Sequence, residues 1–282
     1  MRSGSPVITT TDDTYETPDA GNWAEDKGGL FAYYCEQFAT AMKKRWDARV
    51  YIDLFAGAGK VRARETGKVL LGSPLLALAV RYPFDKYIFC ERIKQRLEVL
   101  KRRVSDMHPT AQVAYVGGDV NECVREILRE LPAHSPSYKV LGFCFADPFR
   151  MQDLKFATLL DLAQRYMDFL VHIPAMDPMR AWKPYLNPAN HTVDDFLGKS
   201  DWRDAWHRES SPPRPDVFVA RAFTRRMKEI GFNYGGFDDA VLIRSTEKNL
   251  PLYRLVFFSK HQLGGRFWRQ ATKGTLQQGT LF

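Results

Sequence analysis

Asp147, Pro148 and Phe149 put a carboxylate, a backbone carbonyl and an aromatic ring on consecutive residues. A carboxylate and a carbonyl accept hydrogen bonds from an exocyclic amine, and a ring stacks on the base that carries it. Such a set can steer a nitrogen lone pair toward an electrophile without a strong base. A second set lies upstream in Val50–Lys60, VYIDLFAGAGK, where Asp53 ends an apolar run and Phe55, Gly57 and Gly59 follow. Glycines there let backbone approach a ligand closely. Two further acids, Glu91 and Asp119, each follow a short apolar run.

These residues need a scaffold that brings strand ends together. Val50–Leu54 reads as a first strand, and the glycine turn as the start of a helix whose N-terminal dipole adds positive potential. Val61–Lys68 reads as a basic loop. Ser73 and Pro74 read as the cap and first position of a helix running to Tyr82. Lys86–Cys90 is a second strand ending at Glu91, where Rossmann-like sites hold ribose hydroxyls. A helix over Ile93–Val104, a strand over Val113–Val116 and a helix over Glu122–Leu131 follow. Asn121 is placed to cap the last of these, and Asp119 either faces a ligand or serves the turn. Strand Val140–Phe145 delivers Asp147 to the C-terminal edge of the sheet, where open α/β proteins place their chemistry. Leu154–Tyr166 is an amphipathic helix and Asp168–Ile173 a fifth strand. Ahead of all of them, apolar residues at helical spacing predict a helix from Asp26 to Trp46, opened by Trp23 and Lys27. Lys27 is then either a substrate-side cation or a surface lysine.

Between the fifth strand and Ala240–Arg244 lies a long insertion, 177–235. It interleaves Trp182, Tyr185, Phe196, Trp202 and Trp206 with Arg180, Lys183, Lys199, Arg203 and Arg208. Rings and cations together suit base stacking and phosphate contact, and equally suit the core of a small helical cap. Val217–Ile230 reads as a helix, and Ala240–Arg244 with Leu252–Lys260 as a hairpin. The expected architecture is α/β, a Rossmann-like seven-stranded sheet with a helical insertion after strand 5. It occupies 23–282, after a flexible segment 1–22 and with a flexible tail 274–282.

A phosphate-cradling loop would need Gly where Leu54 stands and Ser or Thr where Val61 stands, and the dinucleotide fingerprint wants Gly at Arg62. The remaining pattern, D-L-F-x-G-x-G, resembles motif I of class I S-adenosylmethionine (SAM) methyltransferases. Asp147-Pro148-Phe149 resembles the D-P-P-Y/F motif of amino-methyltransferases, with Arg150 after Phe149 and no second proline. A cytosine-C5 enzyme would need Pro-Cys at this place. The series Y-I-D-L-F-A-G-A-G, G-S-P-L-L-A-L, F-C-E, D-P-F, L-V-H-I-P-A-M-D-P-M-R and P-L-Y-R-L-V-F-F-S-K-H resembles the three-Cys-motif partner (TcmP) family across roughly 23–282. The resemblance implies a methyltransferase-like fold, SAM as cofactor, and a three-cysteine protein related to radical-SAM enzymes as partner. Carried over by position, Asp53, Phe55, Gly57, Gly59, Glu91 and Asp119 line the cofactor. Asp147, Pro148 and Phe149 line the transfer site. His172, Asp177, Arg180 and Lys27 stand around the substrate. The reading is a SAM-dependent methyltransferase acting on an exocyclic amine of nucleic acid. The alternative is a non-catalytic or cofactor-binding partner protein.

The chain has 282 residues and a net charge of +8, unevenly spread. Six acids and one base lie in 1–26, while after Glu247 there are six bases and no acid. That asymmetry points to an anionic partner such as nucleic acid, or else to a solvated basic face. No apolar run reaches the roughly 20 residues of a membrane span. Cys35, Cys90, Cys123 and Cys144 lie far apart, which suits buried thiols in a reducing, cytoplasmic setting rather than a metal site. Gln278–Phe282 resembles the Q-L-S/D-L-F peptide that docks on bacterial sliding clamps, with Gly279 in place of the usual leucine. Alternatively, Leu281 and Phe282 fold back on the protein's own surface.

Overall fold

The computed structural model describes residues 8–21, 23–245 and 249–278. The central sheet has five parallel strands: β3 (Ala48–Asp53), β6 (Lys86–Glu91), β7 (Val113–Gly117), β8 (Val140–Ala146) and β9 (Met167–Pro174). Its order is β7-β6-β3-β8-β9, continued by β12 (Pro251–Ser259) antiparallel to β9. β11 (Val241–Arg244) and the two-residue β10 (Tyr234–Gly235) both pair with β12. The seven expected strands are therefore present, with β10 as an eighth. Every residue of β3, β8 and β9 is buried. Covered on both faces, these strands read in sequence as near-continuous apolar runs.

Alternate residues of β8 serve opposite layers, as the two-residue period of a strand requires. Cys144 packs into one core with α4 (Val120–Glu130), α5 (Phe156–Leu162) and the insertion helices. Phe143 and Phe145 pack into the other with α1 (Trp23–Met42), α2 (Ser73–Leu78), α3 (Lys94–Met107) and α10 (Gln262–Gln278). Phe31 of α1 meets Phe145 at 4.7 Å between ring centroids, and Phe38 meets Phe143 at 5.0 Å. Lys27 lies one turn before Phe31 on the same helix face, so this ring packing carries it to the C-terminal edge of β8.

Several elements depart from expectation. Within 1–22, residues 8–21 are ordered: β1 (Thr9–Thr10) and β2 (Asp19–Ala20) join β4 (Lys60–Ala63) and β5 (Val69–Leu71) in a four-stranded sheet. The supposed basic loop after the glycine turn is thus the hairpin β4–β5. Apolar Val61 and Ala63 alternate with basic Lys60 and Arg62, the two-residue period of a strand. The glycine turn consequently feeds a strand rather than a helix. α2 begins with Gly72, not Ser73, in the cap position, and Asp119, not Asn121, caps α4 by accepting from Asn121 N at 2.9 Å.

α10 also went unread, because Gly264 and Gly265 interrupt a mostly polar stretch. Its buried stripe is Trp268 and Ala271, and it extends through 274–278 of the expected tail. Gly264 is needed where it stands, since a Cβ there would meet the Ser259 Oγ at 2.7 Å. The candidate clamp peptide Gln278–Phe282 lies, beyond Gln278, outside the described residues.

The insertion is helical: α6 (Met176–Leu186), α7 (Thr192–Leu197), α8 (Trp202–Arg208) and α9 (Pro215–Glu229). Its rings belong to the core it shares with one face of the sheet. Trp182 packs against Trp206 at 4.7 Å and Trp202 at 5.3 Å, and Phe196 is fully buried. Arg203 pairs with Asp194 at 2.6 Å. Three of the C-terminal bases have partners as well. Arg254 is buried against Asp216 at 2.6 Å, Arg269 pairs with Asp239 at 3.0 Å, and Lys260 donates to the Ala163 carbonyl.

Asp168 on β9 is buried beside Ser259, and burial pushes its carboxyl up to about 7, against the hydrogen bond from Ser259. A carboxyl raised in the folded state costs stability as pH climbs from its unfolded value, 3.8, toward 7, and the cost stays constant above. Asp168→Asn removes this cost. Urea midpoints across pH 4.5–8 should show the variant gaining on the parent as pH rises, with the difference levelling off above pH 7. Parallel curves for the two proteins contradict this assignment.

Candidate functional site

A crevice runs along the C-terminal edge of β3, β6, β7 and β8, in two lobes of about 220 Å³ each. Phe55, Gly57, Arg96 and Asp147 border both lobes, so the lobes meet at the glycine turn. The first lies between that turn, α1 and the start of α2, with Pro18 and Ala20 of the N-terminal segment on its wall. The second lies between Glu91, Gly118-Asp119 and Phe149.

The turn is built from below by Asp53. Its carboxylate is fully buried and accepts from the Tyr51 hydroxyl at 2.8 Å and from Phe55 N at 3.2 Å. Burial pushes this carboxyl up to about 6, although the Ser73 and Tyr51 hydroxyls hold it down. Asp53 therefore does not line the crevice as expected. Its side chain is spent on shaping the turn and on tying α2 to it.

Gly57 and Gly59 take φ of +63° and +84°, left-handed values that side chains resist. The loop is closed from the other side by Glu91. One of its oxygens accepts from Gly57 N at 2.8 Å and the other from Ile93 N at 2.7 Å. Each oxygen keeps a lone pair for a hydroxyl donor in the second lobe. Asp119 faces that lobe and caps α4 at once.

Asp147 borders both lobes. One carboxylate oxygen binds Lys27 Nζ and the other binds His172 Nδ1. The two strands place this second contact. β8 and β9 are parallel with Ala146 opposite Val171, so the next pair in register is Asp147 and His172. Burial favours the protonated acid, but the Lys27 charge and the His172 hydrogen bond outweigh it and hold Asp147 well below the usual carboxylate range. Burial conversely lowers the His172 ring below its ordinary value, against the pull of Asp147. Lys27 also lies over the Phe145 and Tyr253 rings at 5.7 and 5.6 Å, and the Tyr253 ring packs on His172 at 3.9 Å.

Pro148 is buried, and the Phe149 ring is 81% exposed at the mouth of the second lobe. The turn behind it hangs on Asp177, which accepts from Met151 N and from the Tyr185 hydroxyl, both at 2.9 Å. Asp177 is thus an anchor for the loop rather than a group facing substrate. Arg180 is exposed on α6 and borders neither lobe. Arg96 escaped the sequence reading. It stands among the many bases of α3, but it alone of them borders both lobes, and its Nε is buried without a hydrogen bond.

No family model matches this sequence, and no curated protein matches it. Among solved structures, protein LPL1258 from Legionella pneumophila is similar over 91% of this chain and 92% of its own, at 13% identity and a TM-score of 0.54. Trm1 from Pyrococcus horikoshii, solved with SAM, aligns over 92% of this chain and 63% of its own, at 12% identity and a TM-score of 0.47. An O-methyltransferase from Bacillus cereus in complex with S-adenosylhomocysteine (SAH) aligns over 80% of each chain, at 10% identity and a TM-score of 0.42. The likeness is one of fold: the chain is an α/β, Rossmann-like domain.

Glu91→Ala removes the acceptor for two backbone amides at the turn. At about 1–3 kcal/mol for a buried donor left unmatched, the unfolding free energy should fall by that order. Urea denaturation with an unchanged slope measures it. A loss below about 0.5 kcal/mol shows that the amides find other partners.

Proposed function

We propose that the protein binds SAM across the two lobes and transfers its methyl group beside Asp147, which borders both. The observation that carries this reading is the crevice itself. Two lobes join at a left-handed glycine turn that is clasped by Glu91, on the edge of the sheet where such folds hold nucleotides. The residues fit the group. Glu91 would take the ribose hydroxyls, Asp119 the adenine amine, and the backbone at Gly57 would pack against the methionine part. Arg96, which borders both lobes and among the described residues meets only the distant Glu16 carboxylate at 3.6 Å, would face the carboxylate of that part. Bound there, SAM supplies a methyl group on a positively charged sulfur.

Asp147, held ionised by Lys27 and His172, sets a negative charge on the border of both lobes. It also holds Lys27 on the wall of the first lobe, so the cation is neutralised beside the donor site. For the acceptor, nucleic acid is the finer reading. The net charge of +8 and the exposed Phe149 ring at the crevice mouth support it, since such a ring can stack on a base. The exocyclic amine expected from Asp147-Pro148-Phe149 belongs to the same reading, since each Asp147 oxygen has one partner and keeps a second lone pair for a donor. Membership of the TcmP family, with a three-cysteine protein as partner, rests on the sequence resemblance, as does the weaker clamp peptide at Gln278–Phe282. The four unpaired cysteines fit a cytoplasmic setting. No helix among the described residues is long and apolar enough to cross a membrane.

Calorimetry of the full chain with SAM and with SAH tests the reading. Both should bind, and absence of heat at about 1 mM of either removes it. Asp147→Ala leaves Lys27 without its counter-charge beside the sulfonium. SAM affinity should then drop about tenfold or more, while neutral-sulfur SAH changes less than about threefold. Equal losses for the two ligands argue that Asp147 does not sense the sulfur charge.

A further inference from the structure

We infer that Glu16 is a built-in competitor at the crevice: its carboxylate and the carboxylate of the bound ligand claim one guanidinium, that of Arg96, and binding exchanges the first for the second. This deepens the methyl-transfer reading and rests on it.

Among the described residues three cations border the first lobe: Lys27, Lys60 and Arg96. Two are firmly engaged. Lys27 is on Asp147, and Lys60 lies 2.8 Å from Asp13. Arg96 differs. Its Nε stands 3.6 Å from Glu16, beyond hydrogen-bond reach, and more than half of the Glu16 side chain is exposed. An exposed pair of this kind contributes little and is given up at little cost. Arg92, 3.7 Å from Asp119, borders only the second lobe, where the nucleoside part would lie. The cation that can change partner most cheaply on the methionine side is therefore Arg96, and a carboxylate is the group a guanidinium fork fits best.

Glu16 cannot drift away from this spot, because the chain on both sides of it is anchored. Arg103 follows Arg96 by two turns of α3 and is almost fully buried. Its guanidinium donates to the two Asp13 oxygens at 2.6 and 3.0 Å, to Thr17 Oγ1 at 2.9 Å and to the Ala58 carbonyl of the glycine turn at 2.7 Å. Arg103 and Lys60 together hold the Asp13 carboxyl well below the usual carboxylate range, so this anchor stays charged. Beyond Thr17, the Pro18 carbonyl accepts from Arg62 N at 2.9 Å, and Asp19 and Ala20 pair with β4. Only the Glu16 side chain has to swing for Arg96 to change partner.

A purely structural role explains less. Arg103 already fastens the segment to α3 and to the glycine turn, so docking does not call for a second, looser pair two turns away. A carboxylate tethered within reach of Arg96 acts at a high effective concentration, so even a weak pair contests the site. The competition weakens donor and product alike, since both carry the same carboxylate.

Calorimetry of the full chain with SAH and with 5′-methylthioadenosine, a thioether nucleoside without the amino-acid part, tests the exchange. Glu16→Gln should tighten SAH by about two- to fivefold, the range of an exposed ion pair, and move methylthioadenosine by less than about 1.5-fold. Arg96→Gln should weaken SAH by about tenfold or more. In that background Glu16→Gln should have no effect, because the two side chains then contest nothing. SAH bound no more tightly by Glu16→Gln than by the parent, or a gain shared by methylthioadenosine or by the Arg96→Gln background, overturns the exchange and leaves the methyl-transfer reading standing. Absence of heat with SAH from the parent and from Glu16→Gln removes that reading and the exchange with it.

Discussion

A carboxylate at the end of a strand buried on both faces has to be matched, and Asp147 is such a group. Leaving one ionised carboxylate unpaired away from water would cost more than most single interactions in a domain can return. The pairing it receives organises its neighbourhood. Lys27 can reach it only because Phe31, Tyr34 and Phe38 fasten α1 onto the ring-lined face of β8. His172 can reach it only because β8 and β9 run parallel in the register that puts the two residues side by side. Helix docking, strand register and site electrostatics are in this sense one arrangement. Loss of either partner would leave a charge that the remaining one cannot fully satisfy.

The turn beside Asp147 is held in a comparable way by two other acids. Asp53 supports it from inside the sheet and Glu91 clasps it from the edge, each through backbone amides or neighbouring hydroxyls. Only Glu91 remains available to a ligand. Such a division between a supporting acid and a facing acid keeps the left-handed glycines in place without a helix directly behind them, since the chain enters the β4–β5 hairpin instead.

Much of this was legible in the residues and some of it was not. β3, β6, β8 and β9 announced themselves because burial on both faces leaves a strand little room for polar residues, the edge strand β7 is short and apolar, and each site acid sits just past such a run. Glu91, Asp119 and Asp147 therefore reached the crevice as read. Asp53 did not, because a sequence shows that an acid follows a strand but not whether it points outward or under the turn. Asp177 misled for a similar reason, its spacing after strand 5 being right and its oxygens being used by Met151 and Tyr185. The role of Lys27 depends on a residue 120 positions away, beyond any local pattern. β1 and β2 are two residues long and polar, and they pair with a hairpin some fifty residues further on, so no periodicity marks them.

The N-terminal segment that walls the first lobe is held by contacts of unequal dryness. Asp13 is clamped between Lys60 and the almost fully buried Arg103, at 2.8 and 2.6 Å. On either side of it, Asp12 with Arg62 and Glu16 with Arg96 are open to solvent. Dissolved ions screen exposed pairs within a Debye length of about 8 Å at physiological ionic strength, while drier pairs are screened far less. Raising the salt concentration therefore loosens the two flanks of the segment and leaves the middle fastened. Arg96, which borders both lobes, would be freed from Glu16 while Asp13 keeps the wall attached, so ionic strength becomes a control on how this crevice presents its cation.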